Sequence, residues 1–238
     1  MVSILPPVAI LAGGLATRLR PVSEKIPKSL IEVAGEPFLA HQLRMLAGQG
    51  ARRVVLCCGY LGEMIRDFAG DGSRFGLDVE YSFDGPALAG TGGALRQALP
   101  LLGERFLTIY GDSYLPTSYA AVDADFAASG LPALMTVFHN EGRWDTSNVE
   151  FSGGRLLVYD KQHRTPRMRH IDYGLGGFHR DALLEFAPAE GAFDLAGLYG
   201  RLLAAGRLYG REVEERFYEI GSFAGIQELD EYLNKEKE

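Results

Sequence analysis

Four short apolar runs and one segment of strict alternation, residues 77–83, separated by segments of helical spacing, set the narrowest limits on what this chain can fold into. Val8–Ala12 and residues 52–60, 77–83, 105–112 and 132–139 read as strands. Between them, Pro37–Gly50 carries Phe38, Leu39, Leu43, Leu46 and Ala47 at helical spacing, and residues 61–69, 91–102 and 118–130 read as further helices. Strands that are apolar on both faces and alternate with helices predict a mostly parallel sheet with both faces covered. The expected class is therefore α/β: a three-layer, Rossmann-like, mixed but mostly parallel sheet with helices on both faces. After Asn140 the rhythm changes. Residues 147–151 and 155–161 flank Ser152-Gly153-Gly154 as a hairpin would. Further strands fit Asp172–Phe178 and Phe217–Ile220, and helices fit Asp181–Phe186, Leu195–Ala205 and Phe223–Leu233. The tetrapeptide LYGR occurs at Leu198 and again at Leu208, but nothing around it repeats. No linker-like composition divides the chain, so residues 1–238 are expected to form one domain.

Charge and cysteine usage narrow the partners. Against 31 acidic residues stand 24 Lys and Arg, a net charge of -7. That balance argues against a broad grip on nucleic acid or on an anionic membrane. The two cysteines, Cys57 and Cys58, are adjacent inside an apolar run. They suit neither a disulfide framework nor a CxxC pair and point to a reducing compartment. Pro6 and Pro7 break the N-terminal apolar stretch, which lacks a basic lead-in, and no apolar run nears the roughly 18 residues of a membrane helix. A cytoplasmic protein is the expectation.

In an open parallel sheet, ligands bind beyond the carboxyl ends of the strands. The first strand feeds AGGLATRLRP, with Arg18 and Arg20 close by and Lys28 in the following PKS. Adjacent glycines let backbone N–H groups approach phosphate, and basic side chains neutralise its oxygens, so the set reads as a polyphosphate cradle. The glycines alone also fit a plain strand-to-helix turn, and neither a GxGxxG nor a GxxxxGK[ST] pattern is present. Asp112, in YGDS, follows a buried strand and offers a hard oxygen ligand for Mg2+, or equally a helix cap. Glu219, in RFYEIGS, ends another strand-like run and offers a second carboxylate. His41, His139, His163, His170 and His179 form no metal-binding spacing. Asp123-Ala124-Asp125 formally matches a DxD metal motif, but its alanine-rich setting reads as a solvated helix face.

Taken in order, LAGGLATRLRP, PKSLIEVAGEPFL, GTGGA at 90–94, YGDS at 110–113, VYDK at 158–161 and YEIGS at 218–222 resemble the signature of the sugar-1-phosphate nucleotidyltransferases. Within that family, also called nucleoside-diphosphate-sugar pyrophosphorylases, the likeness is greatest to D-glycero-D-manno-heptose 1-phosphate guanylyltransferases. The resemblance implies that residues 1–140 bind a nucleoside triphosphate and residues 141–238 a sugar 1-phosphate. It implies that Ala12, Gly13, Gly14 and Thr17 wrap the nucleotide, that Arg18 clamps the leaving pyrophosphate, and that Lys28 contacts the reacting phosphate. It puts Gly90 and Thr91 beside the base, Asp112 and Glu219 on Mg2+, Lys161 on the sugar phosphate, and Asn148 and Gly174 along the sugar pocket. The expected product is a nucleotide sugar of the kind cell-surface polysaccharide synthesis consumes, made from GTP and a heptose or hexose 1-phosphate. A relative using UTP or dTTP, a metal-dependent glycosyltransferase and a non-catalytic nucleotide-binding subunit are the alternatives, and a homodimer is left open. The chain departs from the family pattern at Ala16, Ser29, Asp160-Lys161-Gln162 and Glu219, where glycine, proline, Glu-Lys-Pro and aspartate are usual.

Overall fold

The computed structural model describes residues 5–15, 19 and 24–235. Its central element, among these residues, is a nine-stranded sheet. The first strand, β1 (Val8–Leu11), is followed by the small ladder of β2 (Glu32–Val33) and β3 (Glu36–Pro37), then by helix α1 (Phe38–Gly48) and β4 (Arg53–Cys58). Helix α2 (Gly62–Ala69), β5 (Asp78–Phe83), α3 (Gly90–Leu102) and β6 (Arg105–Tyr110) continue the alternation. Next come β7 (Ser113–Tyr114), α4 (Tyr119–Ser129), β8 (Ala133–His139), the hairpin of β9 (Val149–Ser152) and β10 (Arg155–Tyr159), and the long β11 (His170–His179). Helices α5 (Arg180–Phe186) and α6 (Leu195–Ala204), strands β12 (Leu208–Val213) and β13 (Tyr218–Glu219), and helix α7 (Phe223–Lys235) complete the order.

The sheet runs β5-β4-β1-β6-β11-β8-β12, and the β9-β10 hairpin joins it at the first residue of β11. Strands β5, β4, β1 and β6 are parallel, β11 is antiparallel to both its neighbours, and β12 is parallel to β8. Alternation within the buried strands divides the core into two layers. Val8 and Ile10 face one side with Val54, Leu56 and Cys58, under Leu39, Leu43 and Leu46 of α1 and Ile65 of α2. Ala9 and Leu11 face the other with Val55 and Cys57, under Leu95, Ala98 and Leu99 of α3 and Leu198, Tyr199 and Leu202 of α6. A third cluster joins Val33, Phe38, Tyr114, Ile220, Leu229 and Leu233, and so ties α7 and the two short ladders to the main body.

The expected three-layer α/β class holds, with two corrections of detail. Residues 208–213 form a full strand that the sequence reading omitted, because Leu-Tyr-Gly-Arg-Glu-Val carries little alternation of its own and depends on the β8 edge for its partners. Asp123 is not on a solvated face. It is buried against Arg105, while Asp125 pairs with Arg211, so neither carboxylate is left to bind a metal with the other.

The layers meet closely at Gly176 on β11. A Cβ there would stand 2.0 Å from the Tyr199 hydroxyl and 3.1 Å from the Thr108 methyl. Gly176→Ala should therefore cost about 1–3 kcal/mol and lower the thermal midpoint by roughly 3–10 °C. Calorimetry should find part of that loss recovered when Tyr199→Phe is added, and an unchanged midpoint in the single variant would show that the layers are not in register as described.

Candidate active site

The chain leaves β1 toward β4 and β5 on one side and then crosses back through α3 to β6 on the other. Strand order therefore reverses between β1 and β6, and the gap opens beyond their carboxyl ends, where open α/β sheets bind ligands. A cavity of about 410 Å³ lies there, lined by Ala12, Gly13 and Gly14 after β1, by Gly90 and Thr91 at the start of α3, and by Lys28 and Asp112. Its floor is tight. A Cβ on Gly111 would stand 2.9 Å from the Ala12 Cα, and one on Gly59 would stand 2.7 Å from the Gly13 carbonyl.

Asp112 does not cap a helix; it leads into the short strand β7. Its turn is held from four directions. The buried Gln42 of α1 donates through Nε2 to the carbonyls of Tyr110 and Ser113, both at 2.9 Å. Ile220 N–H donates to the Asp112 carbonyl at 2.9 Å, and the Ser113 hydroxyl donates to Oδ1 at 3.3 Å. Lys28 Nζ, from a 3-10 turn at Lys28–Leu30, lies 2.5 Å from Oδ2. The β7–β13 ladder sets Glu219 opposite Ser113 and so beside Asp112. Burial, then the like charges of Asp112 and Asp145, push the Glu219 carboxyl up to about 7, against the pull of Lys28 and Lys161.

Lys161 reaches the same neighbourhood from the turn after β10. Its Nζ lies 5.7 Å from the centre of the Tyr110 ring, 5.9 Å from that of Tyr159, and 3.8 Å from Asp172 Oδ2. Asn148 and Gly174 stand behind it. The Asn148 side-chain carbonyl accepts from Asp172 N–H at 3.0 Å, and Gly174, at φ +99°, leaves room for Tyr110. Lys28 and Asp112 line the cavity, whereas Glu219, Lys161, Asn148 and Gly174 do not: Glu219 stands beside Asp112 and Lys161 near the lining residue Tyr110. Thr17 and Arg18 lie outside the described residues, as do Ala16 and Arg20.

Some of the cavity was not anticipated. Asp84 lines it from the end of β5, and the rule that singled out Asp112 would have found it as well. Its Oδ2 accepts from Ala89 N–H at 3.1 Å, its Oδ1 is buried without a hydrogen-bond partner among the described residues, and burial raises its pKa. Asp194 reaches the cavity from a loop with no local signature. That loop also caps α3: the Phe193 carbonyl accepts from Gly92 and Gly93 N–H, and Thr91 Oγ1 accepts from Leu195 N–H. The Gly92 and Gly93 N–H groups of the first turn of α3 are therefore committed to the protein rather than left for phosphate. Trp144 does not line the cavity; it stacks on the Arg216 guanidinium, 3.4 Å from the ring centre.

The two carboxylates suit Mg2+. Asp112 and Glu219 are hard oxygen donors on neighbouring positions of the β7–β13 ladder, and two carboxylates would leave most of an octahedral shell to water and phosphate, as that ion prefers.

Comparison with known proteins shows the family and the fold. Residues 8–146 match the family described as nucleotidyl transferase. An N-acetylmuramate alpha-1-phosphate uridylyltransferase of Neisseria meningitidis is 39% identical over 52% of this chain and 53% of its own. A D-glycero-alpha-D-manno-heptose 1-phosphate guanylyltransferase of Campylobacter jejuni is 33% identical over 76% of this chain and 79% of its own. The chain spans about half the length of several curated relatives it matches, 53%, 43% and 59% of three of them. A solved structure of a putative glucose-1-phosphate thymidylyltransferase from Bacillus anthracis superposes with a TM-score of 0.85 at 18% identity, over 96% of this chain and 94% of that one.

The Glu219 shift predicts a pH effect. A carboxyl whose folded pKa lies above its unfolded value gives stability that is complete below about 4.5 and lost as pH rises through about 7. Glu219→Gln should remove the penalty, raising the metal-free thermal midpoint by roughly 3–6 °C at pH 8 while changing it little near pH 4.5. A difference that does not depend on pH would contradict the shift.

Proposed function

Because the chain belongs to the nucleotidyl transferase family, we propose that it transfers a nucleotidyl group from a nucleoside triphosphate to a sugar 1-phosphate, releasing pyrophosphate. The observation that supports this reading is the Lys28–Asp112 pair lining a cavity where the strand order reverses, with Glu219 next to Asp112 across the β7–β13 ladder and Lys161 near the Tyr110 ring. A sugar 1-phosphate is already an anionic nucleophile near neutral pH, with a second pKa of about 6. No general base is needed. One of its phosphate oxygens attacks the α-phosphorus, a new P–O bond forms, and the bond from that phosphorus to the bridging oxygen breaks, with pyrophosphate leaving in line.

The difficulty is electrostatic: two polyanions must meet, and charge grows on the leaving group. Lys28, anchored on Asp112, offers its ammonium at the cleft mouth. Lys161 approaches over the Tyr110 ring to take the sugar phosphate. Positioning of this kind, with fixed positive charge in a partly dry cleft, is the main source of rate in phosphoryl chemistry. Arg18 is assigned the leaving pyrophosphate by family resemblance. When bound, Mg2+ would be held by Asp112 and Glu219 and would supply further neutralisation of phosphate charge.

GTP with a heptose or hexose 1-phosphate is the pair favoured by the GTGGA segment and by the Campylobacter relative, whose name gives that substrate class. The neisserial relative makes UTP the rival nucleotide. The test is pyrophosphate release from four nucleoside triphosphates, each against heptose, mannose, glucose and amino-sugar 1-phosphates with Mg2+. One productive pair is expected, and consumption of a ready-made nucleotide sugar without pyrophosphate release would favour a glycosyltransferase instead.

With the productive pair, Lys28→Ala should lower kcat by about 10²–10³-fold while circular dichroism at the assay temperature stays close to wild type. Wild-type turnover in that variant would remove Lys28 from the reaction.

A further inference from the structure

Lys161 poses a problem that the proposed reaction does not solve. Its side chain is 46% exposed, on a turn outside the sheet, and a lysine ammonium on a four-carbon stem does not aim itself. Asp160, its neighbour, gives no help, because its Oδ1 accepts from the backbone N–H groups of Gln162 and His163 at 2.7 and 2.9 Å.

Resting on the nucleotidyl-transfer reading, we propose that Asp172 is the positioning residue that aims Lys161 at the phosphate of the sugar substrate. The Asp172 side chain is only 6% exposed, near the start of β11. Its Oδ1 accepts from Gly174 N–H at 3.1 Å, and its Oδ2 accepts from the Tyr159 hydroxyl at 3.1 Å. Its own N–H donates to Asn148 Oδ1, so the carboxylate is fixed on every side by the sheet and the hairpin. A buried carboxylate demands a counter-charge, and Lys161 supplies it.

The length of the contact is informative. At 3.8 Å, Nζ is attracted to Oδ2 without closing a hydrogen bond. The ammonium is thus oriented while its three donors remain available to an incoming phosphate. The rings of Tyr110 and Tyr159 restrict it further, and Tyr110 is the last residue of β6, two before Asp112. A charge held over that ring faces the strand end where the two substrates would meet. Tyr159 is held protonated, chiefly by burial and then by Asp172, so its hydroxyl remains a donor to the carboxylate.

The test is steady-state kinetics on the full chain with whichever pair turns over in the screen, GTP or UTP with mannose, glucose or heptose 1-phosphate. Asp172→Asn should raise KM for the sugar phosphate about three- to fivefold, the scale of one half-exposed ion pair, with kcat and KM for the nucleotide changed less than about twofold. Tyr159→Phe should move the same KM in the same direction by less, and it serves if the Asn variant folds poorly. Placed in a Lys161→Ala background, Asp172→Asn should add almost nothing, because the residue acts through that lysine. Losses that simply add, or a sugar-phosphate KM that is unchanged or lower in Asp172→Asn, would overturn the inference alone. Failure of the wild-type chain to release pyrophosphate with any pair would overturn the underlying reading and this inference together.

Discussion

Asp112 stands at the end of a buried parallel strand with its turn clamped by Gln42, its carbonyl taken by Ile220 N–H and its carboxylate held by Lys28. These contacts come from α1, from the segment after β13 and from a 3-10 turn before β2, so one turn gathers elements from across the chain. Without it, Lys28 loses its counter-charge and Glu219 its neighbour. The reversal of strand order between β1 and β6 makes this possible, because it leaves a gap at the carboxyl ends instead of a continuous wall of side chains.

The site follows from the same geometry. Two anions repel each other by several kcal/mol at contact in a partly dry cleft, so a protein that joins them needs fixed positive charge around the meeting point. In the proposed reaction Lys28 and Lys161 would provide it from opposite halves of the chain, each paired with a carboxylate that is itself held by backbone or side-chain donors. The pairs differ in closeness: Lys28 touches Asp112 at 2.5 Å, while Lys161 stands 3.8 Å from Asp172. The first lysine is anchored at the cleft and the second is steered toward it.

Much of the fold was legible because its signals are local. The β1, β4 and β6 runs are apolar on both faces, and Ser118 and Gly130 cap α4 as their residue types suggest. Gly153 and Gly154, both at positive φ, make the hairpin turn expected of them. The two LYGR segments mark where locality ends: Leu198–Arg201 lies in α6 and Leu208–Arg211 in β12, so the same four residues become helix or strand according to their surroundings. The site divides in the same way. Asp112 and Glu219 each end a strand and could be singled out by position. Gln42 looks like an incidental polar residue on an apolar helix, and Asp172 like an ordinary strand residue. Their importance comes from partners 68 residues away for Gln42 and 11 and 13 away, on another strand and its turn, for Asp172. Asp84 and Asp194 reach the cavity only because α3 and the Phe193 loop close over it.

The most direct test of this account is anomalous diffraction from crystals of the full chain grown with Mn2+ and a non-hydrolysable nucleoside triphosphate analogue. The account predicts a metal peak within coordinating distance of the Asp112 and Glu219 carboxylates, with the triphosphate between Gly13-Gly14 and the Lys28 ammonium. A metal bound away from both carboxylates, or a triphosphate seated outside the gap between β1 and β6, would contradict it.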